Sequence, residues 1–141
     1  MTPNLFSSQT ESDFSRARLK AFWHDVAAML SRRPNELVSF DQVKRSLKTF
    51  GESYRGVQTV PIAQIIGSAT LRFHDFDGAF LPTSTRTKSR WKSVDAAWYE
   101  EINLPPVQLY KIGDTYFVRD GHHRISVARE KGQEFIEAEA I

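Results

Sequence analysis

The chain has 141 residues, 40% hydrophobic and 26% charged, the size and composition of one globular domain rather than a disordered tail. It contains no cysteine, which excludes a disulfide scaffold, a thiolate metal site, an iron–sulfur cluster and a cysteine nucleophile. Net charge is only +2. No apolar run approaches the roughly 18 residues of a membrane helix, and Met1 to Glu11 lacks an apolar signal core, so the expectation is a cytoplasmic protein with no membrane partner.

Residues 1–11 read as a polar leader. A helix follows from about Ser12 to Arg32, with Thr10 and Asp13 at capping-box spacing. Leu19, Phe22, Val26 and Leu30 recur at helical intervals as its apolar face, suited to a core or a docking partner. Arg32, Arg33 and Pro34 close it. Ser39-Phe40-Asp41-Gln42 repeats the capping pattern and opens a second helix, with Phe40, Val43, Leu47 and Phe50 on its apolar edge and Gly51 at its end. The polar run from Gly51 to Gly56 marks a soft boundary between an N-terminal helical extension (1–56) and the remaining domain (57–141). The first segment carries nine Lys and Arg against six Asp and Glu, or +3; the second carries ten against eleven, or −1. Neither has the dense basic stripe of a protein whose affinity rests on a phosphate backbone, so nucleic acid stays open as a partner.

From Val57 the periodicity becomes strand-like through Val57, Thr59 and Ile62, with Pro61 at the end or on an edge. Pro61 to Ile66 has room for a single turn before Gly67-Ser68. Ala69 to Pro82 alternates aromatics with charge (Phe73, Asp75, Phe76, Asp77, Phe80), and residues 83–90 form a polar, basic loop. Trp91 to Ile102 reads as a helix with Trp91, Val94, Trp98 and Ile102 inward. Pro105-Pro106 introduce a strand, Val107 to Ile112. Gly113-Asp114 has the composition of a hairpin turn, and Thr115 to Arg119 is the return strand. Asp120-Gly121 lead into a helix, His122 to Lys131, with Ile125, Val127 and Ala128 as its apolar face. Gly132 caps it, and Phe135 to Ile141 forms a last strand. The class is α/β: a small mixed sheet with flanking helices, preceded by a helical element.

The string Arg119-Asp120-Gly121-His122-His123-Arg124 places strand, glycine and helix start in succession. A first helical turn presents unpaired backbone N–H groups and a partial positive charge, which suits a phosphate. Gly121 lets a ligand approach the backbone, Arg124 offers a planar donor fork, and His122 and His123 add donors whose charge follows pH. On this reading, replacing Arg124 by Ala or Gly121 by a β-branched residue removes binding and leaves the fold intact. Two carboxylates in His74-Asp75-Phe76-Asp77 are candidates to share a Mg²⁺ with substrate phosphates, or else they serve turns beside the phenylalanines. Asp77 or Asp120 is the candidate base, or water-orienting group, for phosphoryl transfer. The basic loop with Arg86, Lys88, Arg90 and Lys92 has two readings, a cover over a triphosphate or a solvated segment.

From about Val57 to Ile141 the sequence resembles the N-terminal domain of the ParB/sulfiredoxin superfamily. Gly121-His122-His123-Arg124 stands where ParB proteins have Gly-Glu-Arg-Arg and sulfiredoxins Gly-Cys-His-Arg. Ala128 and Gly132 fall at fitting positions, and Leu104-Pro105-Pro106-Val107 looks like the ParB run entering the strand before the hairpin. Upstream, Ile62 to Asp77 looks like the first ParB box, with Arg72 near its arginine and Phe76-Asp77 near its Phe-Asp.

The resemblance implies a nucleotide-binding domain. ParB proteins bind and hydrolyse CTP, sulfiredoxins use ATP to repair peroxiredoxin, and a related archaeal kinase phosphorylates serine. It implies that Gly121, His122, His123 and Arg124 form the phosphate-binding turn and that Arg72 is a second phosphate contact, with CTP or ATP and Mg²⁺ as ligands. His122 replaces the sulfiredoxin nucleophile, which excludes sulfiredoxin activity. The sequence reaches Ile141 about where a ParB protein would begin its helix-turn-helix domain, so site-specific DNA binding is not expected of this chain. The expectation is therefore a nucleotide-binding protein with nucleoside triphosphatase or phosphotransferase activity left open, and self-association implied by the resemblance. The alternatives are a DNA-binding or nuclease-type ParB-like protein and a non-catalytic interaction module.

Overall fold

The computed structural model describes residues 6–31, 35–41, 43, 55–70 and 75–141. Arg72, His74 and most of the second expected helix, including Leu47, Phe50 and Gly51, lie outside the described residues. Among the described residues three helices have defined bounds: α1 (Ser7–Ser31), α2 (Lys88–Tyr99) and α3 (His122–Glu130). The strands are β1 (Val38–Ser39), β2 (Gly56–Pro61), β3 (Ile65–Ser68), β4 (Val107–Ile112), β5 (Thr115–Asp120) and β6 (Phe135–Ala140), with a single 3₁₀ turn at Ile62–Gln64. Together the strands form one mixed six-stranded sheet in the order β1-β3-β5-β4-β6-β2.

The hairpin is the local part of this sheet. Gly113 takes φ +60° in the turn, and β4 and β5 pair antiparallel from Gln108–Asp120 to Ile112–Thr115. Beyond it the chain crosses over through α3 and returns as β6, parallel to β4, while β2 closes the far edge antiparallel to β6. On the other side β3 and β1 add in parallel. The β1–β3 approach depends on Gly67, because a Cβ there would stand 2.0 Å from the Val38 carbonyl oxygen and 2.8 Å from the Phe117 ring.

One sheet face carries Leu109, Tyr116 and Val118 into a core shared with Trp91, Ile125, Phe76 and Phe80, and with Phe14, Ala17 and Ala21 of α1. On the opposite face, Phe40 stacks on Tyr110 with ring centroids 4.7 Å apart and meets Phe117 edge-on at 5.6 Å.

Two helices turn differently from expectation. In α1 the buried positions are Thr10, Asp13, Phe14, Ala17 and Ala21, whereas Leu19, Phe22 and Leu30 are 57%, 55% and 83% exposed. The small Ala17 and Ala21 let α1 seat closely, with Phe14 edge-on to Trp91 at 5.6 Å; bulk at those positions would hold it off. Nor does Thr10 cap the helix: it lies inside it and donates its hydroxyl to the Ser7 carbonyl. In α2 Trp91 is buried as expected, but Trp98 and Ile102 are half exposed, and Asp95 takes the inward place one turn after Trp91.

Candidate functional site

The β5–α3 junction turns at Gly121, whose φ of +112° is a conformation that side chains with a Cβ rarely adopt. A Cβ there would also meet Val107 at 2.4 Å. The turn therefore cannot accept a β-branched residue without loss of fold, contrary to the expectation from sequence. Its first helical residues face two ways. His122 and His123 are buried, and His122 Nε2 shares a 2.7 Å hydrogen bond with Ser68 Oγ at the end of β3. Phe76 contacts both rings, stacked on His122 at 6.1 Å and edge-on to His123 at 5.1 Å.

Arg124 turns toward the outer side, where it donates to the carbonyl oxygens of Pro105 and Pro106 and to the Asp120 carboxylate (2.9 Å). Its guanidinium thus ties α3 to the entry of β4 and remains only 17% exposed.

Asp120, Gly121, His122, His123 and Arg124 line one cavity of about 140 Å³, completed by Arg90 and Val94 of α2. The sequence places Arg90 in a basic loop able to cover a triphosphate; it stands instead on the first turn of α2, an exposed cation lining the cavity at the Gly121 turn, with no ion pair among the described residues. Its neighbours are engaged elsewhere. Arg86 pairs with Asp75, while Lys88 and Lys92 both grip Glu11 of α1 and hold its carboxyl well below the usual range.

Asp75 and Asp77 stand apart from this cavity. Asp77 is buried and accepts the backbone N–H groups of Ala79 (2.8 Å) and Leu81 (3.0 Å), holding the turn that buries Phe80. These contacts match the turn-forming alternative. Among the described residues no three of the His, Asp and Glu side chains converge as a metal cluster would require.

A second, more apolar cleft of about 250 Å³ lies alongside, between the end of α2, residues 102–107 and α3. It shares Val94 and Arg124 with the first cavity, and half-exposed Trp98, Ile102 and Leu104 are part of its lining.

Sequence reading also missed a charge cluster where α1, α2 and the end of α3 meet. Lys131 Nζ lies 2.6 Å from Asp13 Oδ2 and 3.0 Å from Asp95 Oδ1, and Tyr99 donates to Asp13 at 2.7 Å. The ammonium also sits 3.9 Å from the Tyr99 ring centroid and 4.7 Å from that of Trp98. Burial, then the facing Asp13 carboxyl, pushes Asp95 up to about 7. Burial acts to raise Asp13 as well, but its hydrogen bonds with Asp95, Lys131 and Tyr99 outweigh that and hold it low. Burial would lower Lys131, and its contacts with Asp13, Tyr99 and Asp95 hold it high instead. No periodicity announces this arrangement, since its members lie up to 118 residues apart.

In comparisons with known proteins, no family model and no curated protein matches the chain. Among solved structures it is similar to a sulfiredoxin from Arabidopsis thaliana, at 15% identity and a TM-score of 0.45, over 62% of this chain and 85% of that one.

Proposed function

We propose that the chain binds a nucleotide, with its phosphates at the Gly121–Arg124 turn and its base in the adjoining apolar cleft. The observation that carries this reading is the contiguity of two unlike cavities. One has the start of a helix and two arginines in its wall, Arg90 and Arg124, and the other presents half-exposed Trp98 and Ile102. Together they reach the lower end of the ~300–1,000 Å³ typical of small-molecule sites. A helix start and guanidinium groups recognise phosphate oxygens, and aromatic and aliphatic walls accept a planar base. Asp120 is the carboxylate in this wall and the candidate to orient a water if the nucleotide is hydrolysed. Asp75 and Asp77, being committed to an arginine and to turn amides, are not assigned to Mg²⁺; the ion would enter on the nucleotide phosphates.

The test is a thermal-shift and calorimetry panel of CTP, ATP, GTP and UTP, each with and without Mg²⁺, on wild type, Arg90→Glu and Trp98→Ala. A ligand bound only by the folded state raises the melting temperature by mass action. The reading expects a shift with one nucleotide, lost in Arg90→Glu and reduced in Trp98→Ala. Arg90 is exposed and has no ion pair among the described residues, so unliganded Arg90→Glu should melt close to wild type. Trp98 lies against the Lys131 ammonium and the Tyr99 ring, so the nucleotide shift of Trp98→Ala is read against its own unliganded melt. A flat response to all four nucleotides overturns it.

A further inference from the structure

The helix α1 has two apolar sides. At 100° per residue, Phe14, Ala17 and Ala21 point into the body, and Leu19, Phe22, Trp23, Val26 and Leu30 fall on the opposite side. Leu19, Phe22 and Trp23 are 55–58% exposed, and Met29 and Leu30 are 80% and 83% exposed. From side-chain sizes the face residues leave roughly 500 Å² of apolar surface in water, at the upper end of the ~300–600 Å² of a monomer's largest patch and more than half of the ~800 Å² per partner of a standard interface.

We propose that this face is the contact with a second copy of the chain, through an isologous antiparallel pairing of α1 with its twofold mate. Its pattern is nearly symmetric on reversal. About a centre between His24 and Asp25, Leu19 falls opposite Leu30 of the second copy, and bulky Phe22 and Trp23 fall opposite the smaller Ala27 and Val26. Large against small at each level is what lets two helices close together, and a twofold contact requires such self-complementarity. The face spans about 17 Å along the axis, three helical turns, and stops at Ser15.

A lipid surface is the less favoured occupant, because two cations beside the face among the described residues are already engaged within the chain. Lys20 pairs with Glu130 at 2.8 Å and Arg18 donates to the Pro82 carbonyl at 2.7 Å. They are not free for anionic headgroups, which basic membrane-surface helices rely on.

The experiment is sedimentation of the full chain from low to high micromolar concentration, for wild type, Phe22→Glu and Leu30→Glu. Wild type should be a reversible dimer, and each variant should keep its circular dichroism and weaken the dissociation constant at least about tenfold. Because the chain has no cysteine, the register is read separately by single replacements. Leu19→Cys mixed with Leu30→Cys should cross-link on oxidation. Leu19→Cys alone should not, since two antiparallel copies place these positions about 17 Å apart along the axis, beyond the ~7 Å Cα limit of a disulfide. A monomer at every concentration overturns the proposal, as does a dimer that both variants leave intact. Cross-linking of Leu19→Cys with itself overturns the antiparallel register. A monomer that floats with phosphatidylcholine–phosphatidylglycerol vesicles overturns it in favour of lipid.

Discussion

Ser68 and His122, 54 residues apart in sequence, share a buried 2.7 Å hydrogen bond that ties the end of β3 to the first residue of α3. The histidine at the head of the candidate phosphate turn is thus engaged inward, and the turn's geometry is held from the sheet. Ser68 also accepts the backbone N–H of Thr70 at 3.1 Å, so the hydroxyl anchors the chain leaving β3 as well. Ser68→Ala should cost about 1–3 kcal/mol, the usual effect of deleting a buried hydrogen-bonding partner. Denaturant melts of the variant against wild type check this.

Gly121→Ala should destabilise by about 3 kcal/mol, combining the strain of a left-handed residue with the contact on Val107. Gly113, also at positive φ, has nothing within 4 Å of the Cβ position. Gly113→Ala should therefore cost only the backbone part, about 1 kcal/mol. Equal losses at the two sites would contradict the close approach of β4 to the turn.

Arg124 and Arg90 line the same cavity but should separate under mutation. Arg124→Ala removes bonds to Pro105, Pro106 and Asp120, so it should lower the melting temperature by several degrees, about 1–2 kcal/mol, before any ligand is added. Arg90→Ala should leave the unliganded melting temperature within about 1 °C and act on nucleotide affinity alone. A melt of both proteins, followed by titration, distinguishes the roles.

The Asp13–Asp95–Lys131 cluster makes stability depend on pH in a definite direction. Asp95 is raised to about 7 in the fold, so the folded chain holds that proton more tightly than the unfolded one. The favourable contribution is fully present below the unfolded value near 4 and is lost as pH climbs to about 7. Asp95→Asn should remove this dependence, so the variant gains on wild type between pH 5 and pH 8. Lys131→Met should be the reverse case. It leaves two facing carboxyl groups without a cation and costs about 3–5 kcal/mol at pH 8, less at pH 5. Melting curves of the three proteins at both pH values check the sign.

The last forty residues were legible in sequence because their signals are local. Gly113-Asp114 makes a hairpin with the strands on either side, and Gly121 starts α3 where a strand gives way to helical spacing. The 3₁₀ turn after Pro61 was readable for the same reason. Long-range contacts decided what periodicity left undetermined. α1 has apolar residues on both sides, and its buried side was selected by close packing of Ala17 and Ala21, not by the larger residues that dominate the pattern. Asp95 faces inward because Lys131 and Asp13 meet it there, 36 and 82 positions away in the sequence. Arg90 belongs to the candidate site because α2 passes over the start of α3. The sequence by itself determined the succession of strands and helices and the glycine that turns β5 into α3, since these follow from backbone conformations neighbouring residues allow. Only the tertiary structure decided which helix faces are covered, which charges meet and that Arg90 lines the cavity beside Gly121, since each depends on segments that folding alone brings together.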